Sequence, residues 1–503
     1  MAATLWIDVE DLLWYTRVHV RPSGIQRVVF EIARAVHARY GDTGDVRFVR
    51  HNALRGTFCT VEWSELASRF ERLSESNPTD ESTQVESRPR NQAMRQMVRG
   101  ALERLPETPR FHLYSVLLAQ ERAFRAWGAM FKDLGRGVVQ GSRHLLGRHD
   151  RATSDAAEAE ESTTAAAGFA SLVRPGDILL TMGAFWSHPG YAAMLESQCK
   201  RLGLRYALLV YDIIAIRRPE WCDPGFVHVF QSFIDRILPL CDIVLAISRA
   251  TAEDVSAYAH ERAIPLSGPV VPIPMGSGFG RMLTAAETAP APRSDRLPPP
   301  GGYALFVSTI EARKNHLLIF RVWRRLLEEL PPERVPTMVF AGRVGWLVDD
   351  LMRQIANSNG LNGKLIVVEH PSDSELTALY QGCRFTVFPS LYEGWGLPVT
   401  ESLAFGKPCL IADRTSLPEA GGTLARRFDP DNLHDAFEAI RDVILDPRDL
   451  ARWEDQVRRE FRPVPWTASA EALLAALGYA VTAPEAEGSA RPEMALADTG
   501  GNS

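Results

Sequence analysis

The 503-residue sequence predicts an α/β protein made of two doubly wound domains that face each other across a cleft. Three observations predict it. Short β-branched and apolar runs alternate with helical patterns in both halves, the pattern of parallel strands covered by helices. The length exceeds what one hydrophobic core usually organises. Between the halves lies LTAAETAPAPRSDRLPPPGG, residues 283–302, whose prolines and glycines suit a connector between domains.

The strands follow in order. TLWIDV (4–9), VRFVRH (46–51), DILLTMG (177–183), YALLVYD (206–212) and IVLAIS (243–248) supply the first sheet. YALFVST (303–309), TMVFAG (337–342), KLIVVEH (364–370), FTVFPS (385–390) and CLIAD (409–413) supply the second. Each is a short apolar run, as expected of strands buried on both faces. The domains are therefore 1–282 and 303–462, joined by the linker 283–302. Residues 480–503, rich in Ala, Glu and Gly, have the composition of a disordered tail.

An insert at about 75–165 interrupts the first domain. Its flanks, 74–92 and 152–167, are polar and poor in bulky apolar residues. Between Arg88 and Arg148 stand twelve Lys or Arg residues against four Asp or Glu, interleaved with apolar side chains such as Met94, Phe124 and Trp127. Two readings stay open: contact with an anionic membrane surface, or a helical insertion packed on the first domain with a solvated basic face.

Composition excludes several classes. With 46% apolar and 23% charged residues and a net charge of -6, there is no general electrostatic case for a nucleic-acid partner. The six cysteines are scattered without a CxxC pair, as in a reducing cytoplasm. The N-terminus is acidic where a secretory signal is basic, and no apolar run approaches the roughly 20 residues of a membrane span. The expectation is a cytoplasmic protein, soluble or peripheral on the inner face of the membrane.

The chemistry concentrates in FPSLYEGWGLPVTESLAFGKP, residues 388–408. A buried strand ends, Gly394 and Gly396 allow the backbone to approach a ligand, Pro398 suits a first helical position, and Gly406 stops the helix. Glu393 precedes that helix and Glu401 sits about one turn into it. Its N-terminus offers unpaired amides and partial positive charge, a place for a phosphate. Carboxylates at its margin suit sugar and ribose hydroxyls. Either glutamate alone would pass as a surface residue favoured by the helix dipole; the ordered constellation is what points to a site.

This stretch resembles the paired-glutamate signature of retaining glycosyltransferases with two Rossmann-like domains, the GT-B type of family 4, in the group that assembles bacterial surface polysaccharide. The likeness continues through STIEARKNH (308–316), AGRVGW (341–346), residues 372–419 and ARRFDPDN (425–432). The resemblance implies that Glu401 binds the nucleotide ribose and Glu393 the donor-sugar hydroxyls. It places the amides of Gly394, Trp395, Gly396 and Leu397 at the sugar and diphosphate. Lys314 matches the lysine that neutralises the departing diphosphate, a charge that develops in the transition state. Thr309 stands where the family usually has an arginine, so Arg313 or Arg343 is expected to supply that cation.

The first half resembles the family more weakly. RPSGIQRVVFEIARAVHARY (21–40) looks like the glycine loop and helix after the first strand, with Ser23 and Gly24 near the diphosphate. In YDIIAIRRPEWCD (211–223), Tyr211 takes the place of a family histidine, and Tyr211 or Asp212 contacts donor or acceptor, or Tyr211 closes the core. His188 is a further strand-end candidate, or a structural histidine. Ser248 and Thr251 read as helix caps. PWTASAEALLAAL (465–477) resembles the C-terminal crossover, a helix within 463–479 that returns to the first domain.

The resemblance implies transfer of a hexose, mannose as first choice, from a nucleoside diphosphate sugar to a saccharide hydroxyl, with retention of configuration and an acceptor that is poly- or oligosaccharide, open to lipid linkage. No enzymatic nucleophile and no metal-binding DxD stand beside the donor loop, so metal-independent activity without a cofactor is expected. The alternatives are a nucleotide-sugar epimerase or sugar phosphorylase of the same plan, or a catalytically silent sugar-nucleotide binder.

Overall fold

Strands that are apolar on both faces need helices on both sides, and the chain meets this requirement twice. The computed structural model describes residues 3–18, 23–41, 43–52, 56–75, 169–188, 190–277 and 296–479. The basic insert, most of the linker and the tail lie outside the described residues.

The first sheet contains β1 (Leu5–Asp8), β2 (Val46–Asn52), β3 (Thr57–Val61), β4 (Ile178–Thr181), β5 (Arg205–Val210), β6 (Ile243–Ala246) and β7 (Val271–Pro272), in the order β3-β2-β1-β4-β5-β6-β7. Only β2 and β3 pair antiparallel. The second contains β8 (Tyr303–Val307), β9 (Thr337–Ala341), β10 (Leu365–Val368), β11 (Thr386–Phe388), β12 (Cys409–Ala412) and β13 (Arg426–Phe428), all parallel, in the order β10-β9-β8-β11-β12-β13. Both sheets reverse their winding beside the first strand, so loops from β1 and β4, and from β8 and β11, open a crevice at their carboxyl ends.

Three strands escaped the sequence reading for physical reasons. β3 is five residues with two threonines, β7 is a two-residue edge ending in Pro272, and β13 is Arg-Arg-Phe with both arginines exposed. None offers an apolar run.

The helices that build the site are α1 (Glu10–Val18), α2 (Gly24–Tyr40), α3 (Arg249–Glu261), α4 (His316–Glu329), α5 (Asp373–Gly382), α6 (Leu397–Ala404) and α7 (Trp466–Ala476). Each sheet is covered by a buried apolar cluster on either face. α7 belongs by sequence to the end of the second domain, yet Trp466, Ala470, Leu473 and Leu474 join the core of the first, against α2. The chain therefore passes between lobes twice, and the two passages touch: Ser277 N donates to Val464 O at 2.8 Å. Trp466 lies so close to Gly276 that a Cβ there would stand 2.3 Å from its ring.

Leu473 is fully buried. Leu473→Ala should cost about 2–5 kcal/mol of stability in the first lobe, seen as a lower urea midpoint; an unchanged midpoint would show that α7 is not part of that core.

Candidate active site

The cleft between the carboxyl ends of the two sheets is a cavity of about 600 Å³, within the range of small-molecule sites. Of the residues expected from sequence to meet donor or acceptor, all but His188 line it.

The second lobe supplies most of the charge. A 3₁₀ turn after β8, Ala312–Lys314, carries Arg313 and Lys314, and Asn315 in the left-handed conformation starts α4. The loop after β11 brings Glu393 between them. Lys314 Nζ pairs with Glu393 Oε1, and Arg313 Nη1 donates to Glu393 Oε2 at 2.8 Å and to the Tyr392 carbonyl at 2.6 Å. Arg313 Nη2 reaches the buried Glu311 at 2.7 Å. Burial pushes the Glu393 carboxyl up, but the two cations and their hydrogen bonds outweigh it and hold it at about 2. Burial lowers Lys314, with repulsion from Arg313 adding to that effect and Glu393 opposing it.

Main-chain geometry sets the loop. Gly396 has φ 118°, a conformation that L side chains rarely adopt, and α6 starts immediately after it at Leu397, with Pro398 second rather than first. A Cβ at Gly394 would stand 2.3 Å from Tyr211 O across the cleft, so only glycine permits this approach. Within the lobe, Glu393 N donates to Thr415 Oγ1 at 3.0 Å, and Ser416 Oγ donates to the carbonyls of Glu393 (2.9 Å) and Trp395 (2.7 Å). Trp395 packs against the cores of both lobes. Thr415 and Ser416 were not singled out from sequence.

Glu401 projects from α6 and accepts from Tyr380 Oη at 2.9 Å; burial raises its carboxyl, against this bond and the charge of Arg27. From the first lobe, Gly24 opens α2 opposite Leu397, whose Cδ1 would lie 3.7 Å from a Cβ at that glycine. Two helix N-termini thus look into one cavity. Ser23 does not cap its helix but donates to Gln26 Oε1, and Gln26 holds the buried Asp11 at 3.0 Å. Arg27 reaches Asp373 of the other lobe at 3.1 Å.

The two arginines prove different. Arg313 is committed to Glu393 and Glu311. Arg343 is exposed, and its side chain has no hydrogen bond or ion pair to another described residue. Its loop is zipped to the one bearing Thr309: Ile310 N donates to Arg343 O at 2.9 Å and Gly345 N to Ile310 O at 2.8 Å. The loop that bears Arg343 therefore lies beside the one that bears Thr309.

Asp212 faces Arg313, Lys314 and Glu393, and burial raises its carboxyl against the pull of Arg313. The Tyr211 ring is part of the first lobe's core, and its buried hydroxyl has no hydrogen-bond partner among the described residues. His188 stands off the cleft lining. Its ring nitrogen is 3.0 Å from that of His51, which sits 3.3 Å from the buried Asp8. Ser248 caps α3 by accepting from Thr251 N at 3.0 Å.

The fold and the site define a two-lobed α/β protein with a charged, glycine-lined cleft between the carboxyl ends of its two sheets. Residues 291–460, which hold the second lobe, match the family described as Glycosyl transferases group 1. The serotype-specific mannosyltransferase WbdA of Escherichia coli is 28% identical over 294 residues, 56% of this chain and 34% of that protein. The O-antigen chain mannosyltransferase B of Escherichia coli is 35% identical over 138 residues, 27% of this chain and 35% of that protein. The chain thus spans about a third of the length of these relatives. Among solved structures, the α,α-trehalose-phosphate synthase (UDP-forming) of Burkholderia vietnamiensis aligns with a TM-score of 0.48 and 16% identity, over 66% of this chain and 77% of that one.

Because Glu393 is held at about 2 in the folded protein against an ordinary 4.5, its ionised form stabilises the fold fully above pH 4.5, and that contribution is lost as pH falls towards 2. Denaturation of the wild type and Glu393→Gln over this interval should show their stability difference change by roughly 3 kcal/mol. A pH-independent difference would show that the carboxylate is not held by these cations.

Proposed function

We propose that this protein transfers a hexose, mannose as first choice, from a nucleoside diphosphate sugar to a hydroxyl of an oligo- or polysaccharide acceptor in surface-polysaccharide assembly. One observation carries the reading: a lysine, an uncommitted arginine and two helix N-termini converge on one cleft, whose second wall is a glycosyl transferases group 1 domain. The mannosyltransferase names of the two Escherichia coli relatives support mannose as donor sugar.

In this reading the diphosphate lies across the N-termini of α2 and α6, where free amides and the helix dipoles favour an anion. Lys314 and Arg343 flank it, and as the glycosidic C–O bond breaks they neutralise the charge that collects on the leaving phosphate. Arg313 acts one step back, holding the Glu393 carboxylate for the sugar hydroxyls. Glu401, steadied by Tyr380, accepts from the ribose. The pyranosyl centre passes through an oxocarbenium-like state and the acceptor oxygen enters on the face that the phosphate leaves, so configuration is retained. A phosphate oxygen of the donor takes the acceptor proton. A lipid-linked acceptor, and contact of the basic insert with an anionic membrane, belong to the same proposal.

The test is incubation with a panel of GDP and UDP sugars, with and without saccharide acceptors, following nucleotide release and the anomeric signals of the product by NMR. Acceptor-dependent release of GDP from GDP-mannose with an α product is expected. Dependence on free phosphate, isomerisation of the donor alone, or binding without turnover would each replace this reading. Lys314→Met should lower turnover by about 10²–10³-fold and Arg343→Ala by at least about tenfold. Full turnover in Arg343→Ala would remove it from the diphosphate site.

A further inference from the structure

Taking the cleft as the donor site, we infer that α3 of the first lobe is a positioning element for Glu393, and that the hydrogen bond between Tyr392 and Asp254 couples the approach of the lobes to the setting of that carboxylate. Tyr392 immediately precedes Glu393. Its hydroxyl lies 2.8 and 2.7 Å from the two carboxylate oxygens of Asp254, on α3. Its carbonyl accepts from Arg313, the residue that also grips the Glu393 side chain. One residue thus connects the other lobe to the cation that orients Glu393.

The bond is not isolated. Thr251, one turn earlier on α3, donates to Tyr211 O at 3.1 Å and lies 3.4 Å from the Gly394 carbonyl. At the start of the helix, Arg249 N donates to Glu419 Oε2 at 3.0 Å. The first turns of α3 therefore touch the donor loop on both sides of Glu393 and the segment behind it. Asp254 is itself braced, since Arg217 donates to its carbonyl at 2.9 Å and is held in turn by Glu261.

The loop has two sets of anchors. Thr415 and Ser416 hold the backbone from within the second lobe, whereas Tyr392 and the Gly394 carbonyl are held from the first. Parting the lobes would leave the first set and break the second. The carboxylate that receives the donor sugar would then be fully placed only with both lobes in contact, as binding-driven assembly of a catalytic site requires. This role differs from a general contribution to the interface, because it acts at a single loop and on catalysis more than on nucleotide affinity.

The experiment uses the full chain in four forms: wild type, Tyr392→Phe, Asp254→Asn and the double variant. Amide hydrogen exchange of the 389–397 segment is measured with saturating GDP, alongside GDP affinity by calorimetry and kcat with the sugar nucleotide found active. Loss of a hydrogen bond to a charged group is expected to speed exchange of this segment about tenfold, and to lower kcat similarly while GDP affinity stays within about twofold. The double variant should be no worse than Tyr392→Phe alone, the mark of one shared interaction. Unchanged exchange in Tyr392→Phe, additive effects in the double variant, or a loss confined to GDP affinity would each overturn the inference. A wild type that turns over no sugar nucleotide would sink the functional reading instead, while the exchange of 389–397 would still decide the coupling. Should Asp254→Asn fail to fold, Tyr392→Phe, which keeps the ring and removes only the hydroxyl, carries the decision.

Discussion

The cleft depends on one buried carboxylate held between two buried cations. An isolated ionised carboxylate in this position would be strongly disfavoured by desolvation. Glu393 is stable there because Lys314 takes one oxygen and Arg313 the other. Glu311 adds a second negative charge on the far side of Arg313. These four side chains balance one another in charge, and Asp212 of the first lobe faces them. Beyond this cluster, Arg343 and the N-termini of α2 and α6 add positive field for an incoming anion. The same balance explains why an arginine one residue from Lys314 is not interchangeable with an arginine on a neighbouring loop.

Much of this was legible in the sequence because it rests on local patterns. Ten strands were marked by apolar runs, and the order of loops bearing Lys314, Arg343 and Glu393 follows from the alternation of strand and helix. The donor loop is readable because glycine is needed at Gly394 for close approach and at Gly396 for its backbone angle. Where sequence reasoning stopped, partners are distant in the chain. Nothing local distinguishes Arg313 from Arg343; the difference lies in Glu311 and Glu393 reaching the first while no carboxylate among the described residues reaches the second. Asp254 and Tyr392 are separated by 138 residues and each reads alone as an unremarkable helix or loop residue. His188 was a candidate by its place at a strand end, but the fold turns it towards His51 and Asp8.

The two lobes share a plan and divide the labour. Both open a crevice where the winding reverses. The second contributes Arg313, Lys314, Arg343, Glu393 and Glu401, with Thr415 and Ser416 pinning the loop that bears Glu393. The first contributes the N-terminus of α2 opposite Leu397, Asp212 and Arg27, and α3, which reaches over to the donor loop. Away from the cleft lining, Tyr191 donates to Asp8, His51 lies 3.3 Å from Asp8, and Gln26 donates to Asp11, all contacts made within the first lobe.

The return of α7 to the first lobe has a mechanical meaning. The outgoing and returning segments run side by side at Ser277 and Val464, with Trp466 seated on Gly276. Any rotation of the lobes about this junction would carry residues far from it through a longer arc than those beside it. A side chain larger than hydrogen at position 276 would disturb the point where both crossings meet.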